Sequence, residues 1–393
     1  MGGALEGLHV VEAGLLVQGP QAAATLGEWG AEVVKVELPG FGDQARWLPV
    51  APDDWRSAYF VACNRGKRSL TVDLRRPEGR EVFLRLAQWA DVVITNFKPG
   101  TMDGWGLGYE AVAARNPRVI YAAGSTFGLV GPDAGREGAD LSAQAVGGLI
   151  STTGRIDGEP SPVGVTLADH IGGQNLVSGV LAALLARERT GRGQRVDTSL
   201  LGGQIWAQAS EYTACLMLGR SVGPADRGNP MVPGLYGIFP TADGWIAVVG
   251  VVGAARARFY EAIGRADLGE RFPQALYFAD EKAELFPLLD QVFSNRSTDE
   301  WCRVLAEAEL RFAPVRDHAA VVADAAVWDN GYVTTVDGPT GPQQVVAAPV
   351  RFSATPAQPP AVAPELGQHT EEVLLELGYT WEDIGALGEA GVV

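Results

Sequence analysis

The sequence predicts an α/β protein: a large Rossmann-like domain joined to a second, smaller α/β domain. Three observations predict it. Short β-rich runs alternate with helical patterns through the first third of the chain, as in parallel α/β sheets. The composition shifts to Gly, Pro and Asn at residues 222–233, and a hairpin signal follows at once. The length, 393 residues, exceeds the ~100 to 200 expected of one ordinary domain.

Residues 8–12 read as the first strand, and Gly19-Pro20 opens a helix to about residue 29, since proline is tolerated in a first turn. The next strand is 32–37. A strand at 69–73, a helix at 78–89, and strands at 92–95 and 119–123 continue the alternation. No GxGxxG follows the first strand, so dinucleotide binding has little support. Beyond an extended segment at 163–166, Asp169-His170-Ile171-Gly172-Gly173 leads into a long apolar helix at about 174–189, which ends at Thr190-Gly191-Arg192-Gly193-Gln194. A strand through Val196 and a second long helix at 200–218 follow, and both helices are apolar enough to be largely buried.

After the 222–233 linker or flap, strands at 235–239 and 245–249 flank Ala242-Asp243-Gly244, and helices are expected at 254–263, 282–293 and 298–308. The stretch 345–352, the proline-rich 356–364 and helices at 370–377 and 381–387 read as a return to the first domain. The expected division is 1–221 large domain, 222–233 linker, 234–327 small domain and 328–393 returning segment.

Hydrophobic residues make up 47% of the chain, enough to build cores without metal or disulfide staples. A net charge of -16 argues against nucleic acid or an anionic membrane surface as partner. Local cations are still present: Arg56, Arg65, Lys67, Arg68, Arg75, Arg76, Arg80 and Arg85 form a basic run that is either a solvated face or an anion site. Cys63, Cys215 and Cys302 form no CxxC, which fits a reduced, cytoplasmic setting. The first eight residues lack a signal pattern, and no apolar run reaches the ~18 residues of a membrane span.

His9, His170, His318 and His369 have no metal-ligand spacing and read as structural. Gly124-Ser125-Thr126-Phe127-Gly128 lacks the spacing of a serine-nucleophile elbow. Asp169 has two readings. At a helix start it can be an N-cap that accepts free backbone N–H groups. Beside small residues, the same carboxylate can be a covalent nucleophile toward a bulky thioester.

Several segments in order resemble the class III CoA-transferase family, the group that includes formyl-CoA and crotonobetainyl-CoA transferases. They are Leu5-Glu6-Gly7-Leu8 with Gly19-Pro20, Gly30-Ala31-Glu32-Val33-Val34-Lys35-Val36-Glu37, Asn64-Arg65-Gly66-Lys67-Arg68-Ser69, and Asn96-Phe97-Lys98-Pro99-Gly100. Ala168-Asp169, Thr190-Gly191-Arg192-Gly193-Gln194 and Leu366-Gly367-Gln368-His369-Thr370 complete the set. The resemblance implies that Asp169 is the nucleophile of a CoA transfer between two carboxylic acids, through an aspartyl-CoA thioester. It also implies a CoA site lined by Val17, Gln18, Val72, Asp73, Leu74, Arg75, Asn96, Phe97 and Lys98. Coenzyme A and acyl-CoA would then be substrates, with no permanently bound cofactor, no metal and an interlocked homodimer. Without the surrounding motif, Phe97 reads as a core residue and Lys98 as a solvated loop cation.

The chain departs from the family pattern at Gln18 (commonly alanine before Gly-Pro), Leu38, Gly104 and Ala139, where cations or a tyrosine are frequent. Their contacts would pass to Arg46, Arg65 or Arg136. Ala139 also bears on the α-methylacyl-CoA racemases, which resemble the same pattern but show a histidine at this place. A proton exchange lacking one acid/base group forfeits about 10²- to 10⁴-fold. A CoA-binding protein without turnover is the other alternative.

Overall fold

The computed structural model describes residues 2–274, 279–338, 341–357 and 361–393. The chain forms two compact units, one of Met1–Gly147, Gly164–Ala207 and Ala325–Val393, the other of Gly148–Val163 and Gln208–Asp324.

In the first unit, β1 (His9–Ala13), β2 (Glu32–Glu37), β3 (Arg68–Thr71), β4 (Val92–Thr95), β5 (Ile120–Ser125) and β6 (Gln194–Ser199) make one sheet in the order β3-β2-β1-β4-β5-β6, every pairing parallel. Near-continuous Val and Ile runs such as Val10-Val11 and Val92-Val93-Ile94 suit strands covered on both faces. One face is covered by the helix Pro77–Trp89 and by Val373, Leu374 and Ile384 of the C-terminal helices. The other lies under the helices Gln18–Glu28 and Leu167–Thr190, through Ala22, Leu26, Leu176, Val177 and Val180. The predicted strands and helices of this region fall within a residue or two of those observed.

Two helices differ from expectation. The long helix begins at Leu167, not near 174, so Gly172 and Gly173 lie inside it. A glycine pair reads as a helix boundary, but here it permits close approach: a Cβ on Gly172 would sit 2.7 Å from Gln18 Nε2 and one on Gly173 3.0 Å from the Gln18 carbonyl oxygen. The expected helix 200–218 is two, Leu200–Ala207 and Ala209–Leu218, separated at Gln208 with φ −106 and ψ 29. Because the stretch is apolar on every side, its periodicity carries no sign of the break.

Burial also departs from expectation. The helix Ala209–Leu218 has no buried residue, Leu216 and Met217 being 84% and 81% exposed, and Leu185 of the long helix is 69% exposed. Apolar composition predicts removal from water without saying what supplies the cover, and nothing within the described chain covers these side chains.

The second unit holds the antiparallel sheet β7 (Leu235–Pro240), β8 (Trp245–Val251) and β9 (Phe312–Pro314), in that order. The hairpin closes at the predicted turn, where Thr241 N donates to Gly244 O at 2.9 Å. Helices Ala254–Ala262, Ala279–Phe293 and Thr298–Glu307 occupy the predicted places, and Phe239, Phe259, Phe293 and Trp301 form the core. β9 and the helix Ala266–Arg271 are too short to carry a pattern and were not anticipated.

The C-terminal part of the first unit carries the hairpin β10 (Val333–Gly338) and β11 (Gly341–Val346), followed by helices Thr370–Glu376 and Trp381–Glu389. His369 N bonds Ser69 O, and Asp73 N bonds Val392 O, tying this end of the chain to the ends of β3. Residues 358–360 of the proline-rich 356–364 stretch lie outside the described residues. Among the described residues no helix is long and apolar enough to cross a membrane.

Candidate active site

The strand order reverses between β1 and β4, and ligands of open parallel sheets bind beyond the carboxyl ends of the strands at that point. The loop after β1 (residues 14–17) meets the loop after β4 here. Asn96 holds it by both ends of its amide: Leu15 N donates to Oδ1 and Nδ2 donates to Leu15 O, each at 2.8 Å. Leu16 has φ +63, an uncommon left-handed conformation for a branched side chain, and its N–H donates to Asp43 Oδ1 at 2.9 Å.

Beneath the loop is a fully buried ionic network. Glu12 accepts from Lys35 Nζ at 3.0 Å and from Lys67 Nζ at 3.0 Å, and Asp43 pairs with Lys35 at 2.8 Å. The two ammonium groups also grip the backbone, Lys35 at Gly14 O (3.1 Å) and Lys67 at Pro20 O (2.8 Å), so both ends of the segment carrying Val17 and Gln18 are fixed. Burial alone would lower Lys35, but Glu12, Asp43 and Glu37 outweigh it and raise its pKa. For Lys67 burial wins, helped by Lys35, and brings the ammonium down to about 8.

Asp169 stands in the first turn of the helix Leu167–Thr190, three residues past Thr166, which occupies the N-cap position without a capping side-chain bond. The N-cap reading of Asp169 is therefore corrected. Its own backbone N–H is satisfied from outside, donating to Asp140 Oδ1 at 3.1 Å, while Gln144 Nε2 holds Asp140 Oδ2 at 2.6 Å. A distant aspartate does the capping, and the Asp169 carboxyl is left over. No described residue donates a hydrogen bond to that carboxyl. Burial, then the Asp140 charge, push it up to about 7.

One turn further along the helix lies Gln18. It is 3% exposed, with its amide wedged between Gly124 and Gly172, where a Cβ would come within 2.3 and 2.7 Å of it. Val17 is buried beside it at the helix start. Val72, Asp73, Leu74, Arg75 and Phe97 line one cavity of about 260 Å³ together with Leu15 and Trp105. Asn96 and Lys98 line another, of about 240 Å³, with Ser125, Phe127 and Arg136. Neither cavity is lined by Val17, Gln18 or Asp169.

Most of the basic run is spent on internal pairs. Arg65 meets Glu28, Lys67 meets Glu12, and Arg68 meets Glu32, Glu372 and Glu376. Arg75 is exposed and pairs with Asp73 at 2.7 Å, a solvent-screened contact readily exchanged for another anion. Of Arg46, Arg65 and Arg136, the first two are engaged by Glu37 and Glu28, and Arg136, which pairs with Asp133 at 3.2 Å, lines the Lys98 cavity and stacks on Phe127 at 4.2 Å. Sequence reasoning missed the role of Asp140, whose contact with Asp169 spans 29 residues. An aspartate opening its own helix two residues after Gly138 was the one available signal. Among the described residues no group of His, Cys, Asp and Glu is placed to hold a metal.

Fold and site together define a doubly wound α/β enzyme with its crevice at the β1/β4 switch point. The profile of CoA-transferase family III matches residues 5–370, so the chain belongs to that family and is a class III CoA-transferase. It is 33% identical to the human "Succinyl-CoA:glutarate CoA-transferase", over 99% of this chain and 90% of the relative. It is 36% identical to the "Succinyl-CoA:mesaconate CoA-transferase" of Haloarcula hispanica, over 96% and 97%. The crystal structure of a CAIB/BAIF family protein from Brucella suis superposes with a TM-score of 0.84 at 34% identity, covering 96% of this chain and all of that one.

Proposed function

We propose that the protein moves CoA from an acyl-CoA to a free carboxylic acid through covalent chemistry at Asp169. The observation that carries this reading is the Asp169 carboxyl itself: half-buried, without a hydrogen-bond donor among the described residues, and raised to about 7. Such a group is under-solvated when ionised and therefore nucleophilic. In the proposed sequence an Asp169 oxygen attacks the thioester carbonyl, the C–S bond breaks, and a mixed anhydride and the CoA thiolate result. The thiolate adds to the aspartyl carbonyl, the anhydride C–O bond breaks, and the donor acid departs. The acceptor carboxylate then opens the aspartyl-CoA thioester, and the released thiolate takes the new acyl group from that second anhydride, restoring Asp169. Each addition develops an oxyanion, for which one well-placed donor is worth roughly 3 kcal/mol.

The CoA moiety is assigned to the switch-point crevice. Arg75, Lys98 and Arg136 would supply charge for phosphates, and Phe97, Val72 and Leu74 apolar walls. Val17 and Gln18 would face the reacting end, and Asn96 would act by ordering the loop that carries them. CoA enters as substrate and no resident cofactor is required. The two relatives named above point to succinyl-CoA as the first donor to test, against a panel of dicarboxylic and monocarboxylic acceptors. Transfer detected by mass exchange between acyl-CoA and free acid, and lost in Asp169→Asn, supports the assignment; transfer retained in a folded Asp169→Asn protein refutes it.

The proposed assembly is an interlocked homodimer, working in the cytoplasm. Exposed Leu185, Trp206, Leu216 and Met217 supply the kind of apolar surface that a partner chain covers. Light scattering at micromolar concentration should give twice the chain mass of 41.5 kDa, and rapid exchange between tagged and untagged folded protein would contradict interlocking.

A further inference from the structure

The second unit contains a cavity of about 340 Å³ to which the transfer chemistry gives no role. Its size lies in the range of small-molecule pockets. Ile156, Tyr236 and Phe286 contribute apolar wall, and Arg155, Arg227 and Lys282 bring three cations against two carboxylates, Asp226 and Asp290. The carboxylates are committed. Arg155 Nε meets Asp226 at 3.1 Å, and Arg227 meets Asp290 at 2.5 Å.

Lys282 is the remainder. Among the described residues no carboxylate lies within ion-pair distance of it, and its one hydrogen bond is to Val232 O at 2.9 Å. That bond ties the helix Ala279–Phe293 to the Gly228–Gly234 loop, which is itself held by Asn229 Nδ2 on Glu211 Oε1 at 3.0 Å and by Met231 N on Asn229 Oδ1 at 2.8 Å. Partial burial lowers the Lys282 pKa, the mark of a cation short of compensation. A lysine held at the wall of an apolar cavity with one positive charge in excess matches an anion that carries its own apolar body.

We infer that this cavity binds a carboxylate with a short aliphatic body, its head on the Lys282 ammonium and its chain along Ile156, Tyr236 and Phe286. The inference does not depend on Asp169. It concerns an acid of the chemical class that a CoA transfer consumes and releases, so the test separates acid held here from acid held at Asp169.

Hexanoate is titrated into the full chain by calorimetry, with acetate and hexanamide as controls lacking the body and the charge. Wild type, Lys282→Met, Lys282→Arg and Asp169→Asn proteins are compared, each checked for an unchanged thermal transition. Saturable hexanoate binding that weakens tenfold or more in Lys282→Met, persists in Lys282→Arg and is unchanged in Asp169→Asn supports the site, since a charge-assisted contact carries about that factor. Acetate and hexanamide should each bind more weakly than hexanoate. Binding untouched by Lys282→Met, or absent, overturns it. Loss confined to Asp169→Asn also overturns it, placing the acid at Asp169 and leaving the transfer mechanism intact.

Discussion

Two acidic clusters within the first unit treat buried charge in opposite ways. Around Glu12 every charge is matched: two lysines, two carboxylates and the carbonyls of Gly14 and Pro20 close a network with no exposure to solvent. At the start of the long helix, Asp140 and Asp169 face each other; Asp140 is held by Gln144 and by the Asp169 backbone, and among the described residues no cation pairs with either carboxyl and no donor bonds that of Asp169. Compensation makes the first cluster rigid and chemically quiet. Its lack makes the second costly to the fold and suited to reaction, the usual exchange of stability for function.

Removing the uncompensated carboxyl should have the largest effect. Asp169→Asn is expected to lower kcat by about 10⁴-fold or more, as deletion of a covalent nucleophile does, with little change in acyl-CoA affinity. Breaking the compensated network should instead damage the fold. Glu12→Gln leaves buried Lys67 without a carboxylate and Lys35 with Asp43 as its remaining ion pair, and should cost about 3–5 kcal/mol in denaturant unfolding. If Glu12→Gln is silent in stability, the contrast between the clusters collapses.

A smaller effect runs the other way. Asp169 binds its proton more tightly folded, at about 7, than unfolded, near 3.8, so its contribution to stability falls as pH rises from about 4 to 7. Asp169→Asn should thus gain about 1–2 kcal/mol over wild type at pH 8 and lose that advantage below pH 4, by paired melts. The same sign should make kcat/KM rise with pH through about 7 as the proposed nucleophile ionises. The smallest change should come from Asp140→Asn, which keeps an acceptor for the Asp169 N–H but removes the like charge. The pH limb should move to lower pH by the lesser part of the displacement, because burial is the larger cause.

Strands β1, β2 and β4 were legible because they are buried and written in Val and Ile, and the helix Pro77–Trp89 because proline and glutamate mark its start. Leucine-rich 200–218 hid its break at Gln208 because every face is apolar, and Gly172-Gly173 misled because close packing and helix ending use the same residue. At the site, Asp169 could be singled out from its neighbours, but its freedom from capping could not. That depends on Asp140, which only the folded chain brings to the helix start. Asn96 similarly looked like a ligand contact until its amide was seen engaged at both ends by Leu15.

The most direct test is covalent. The protein is mixed with succinyl-CoA, quenched with borohydride and digested, and the peptide spanning Asp169 is weighed. Reduction of an aspartyl thioester at Asp169 is expected, absent in Asp169→Asn and absent without acyl-CoA. An unmodified Asp169 in enzyme shown to be turning over the same acyl-CoA would contradict it.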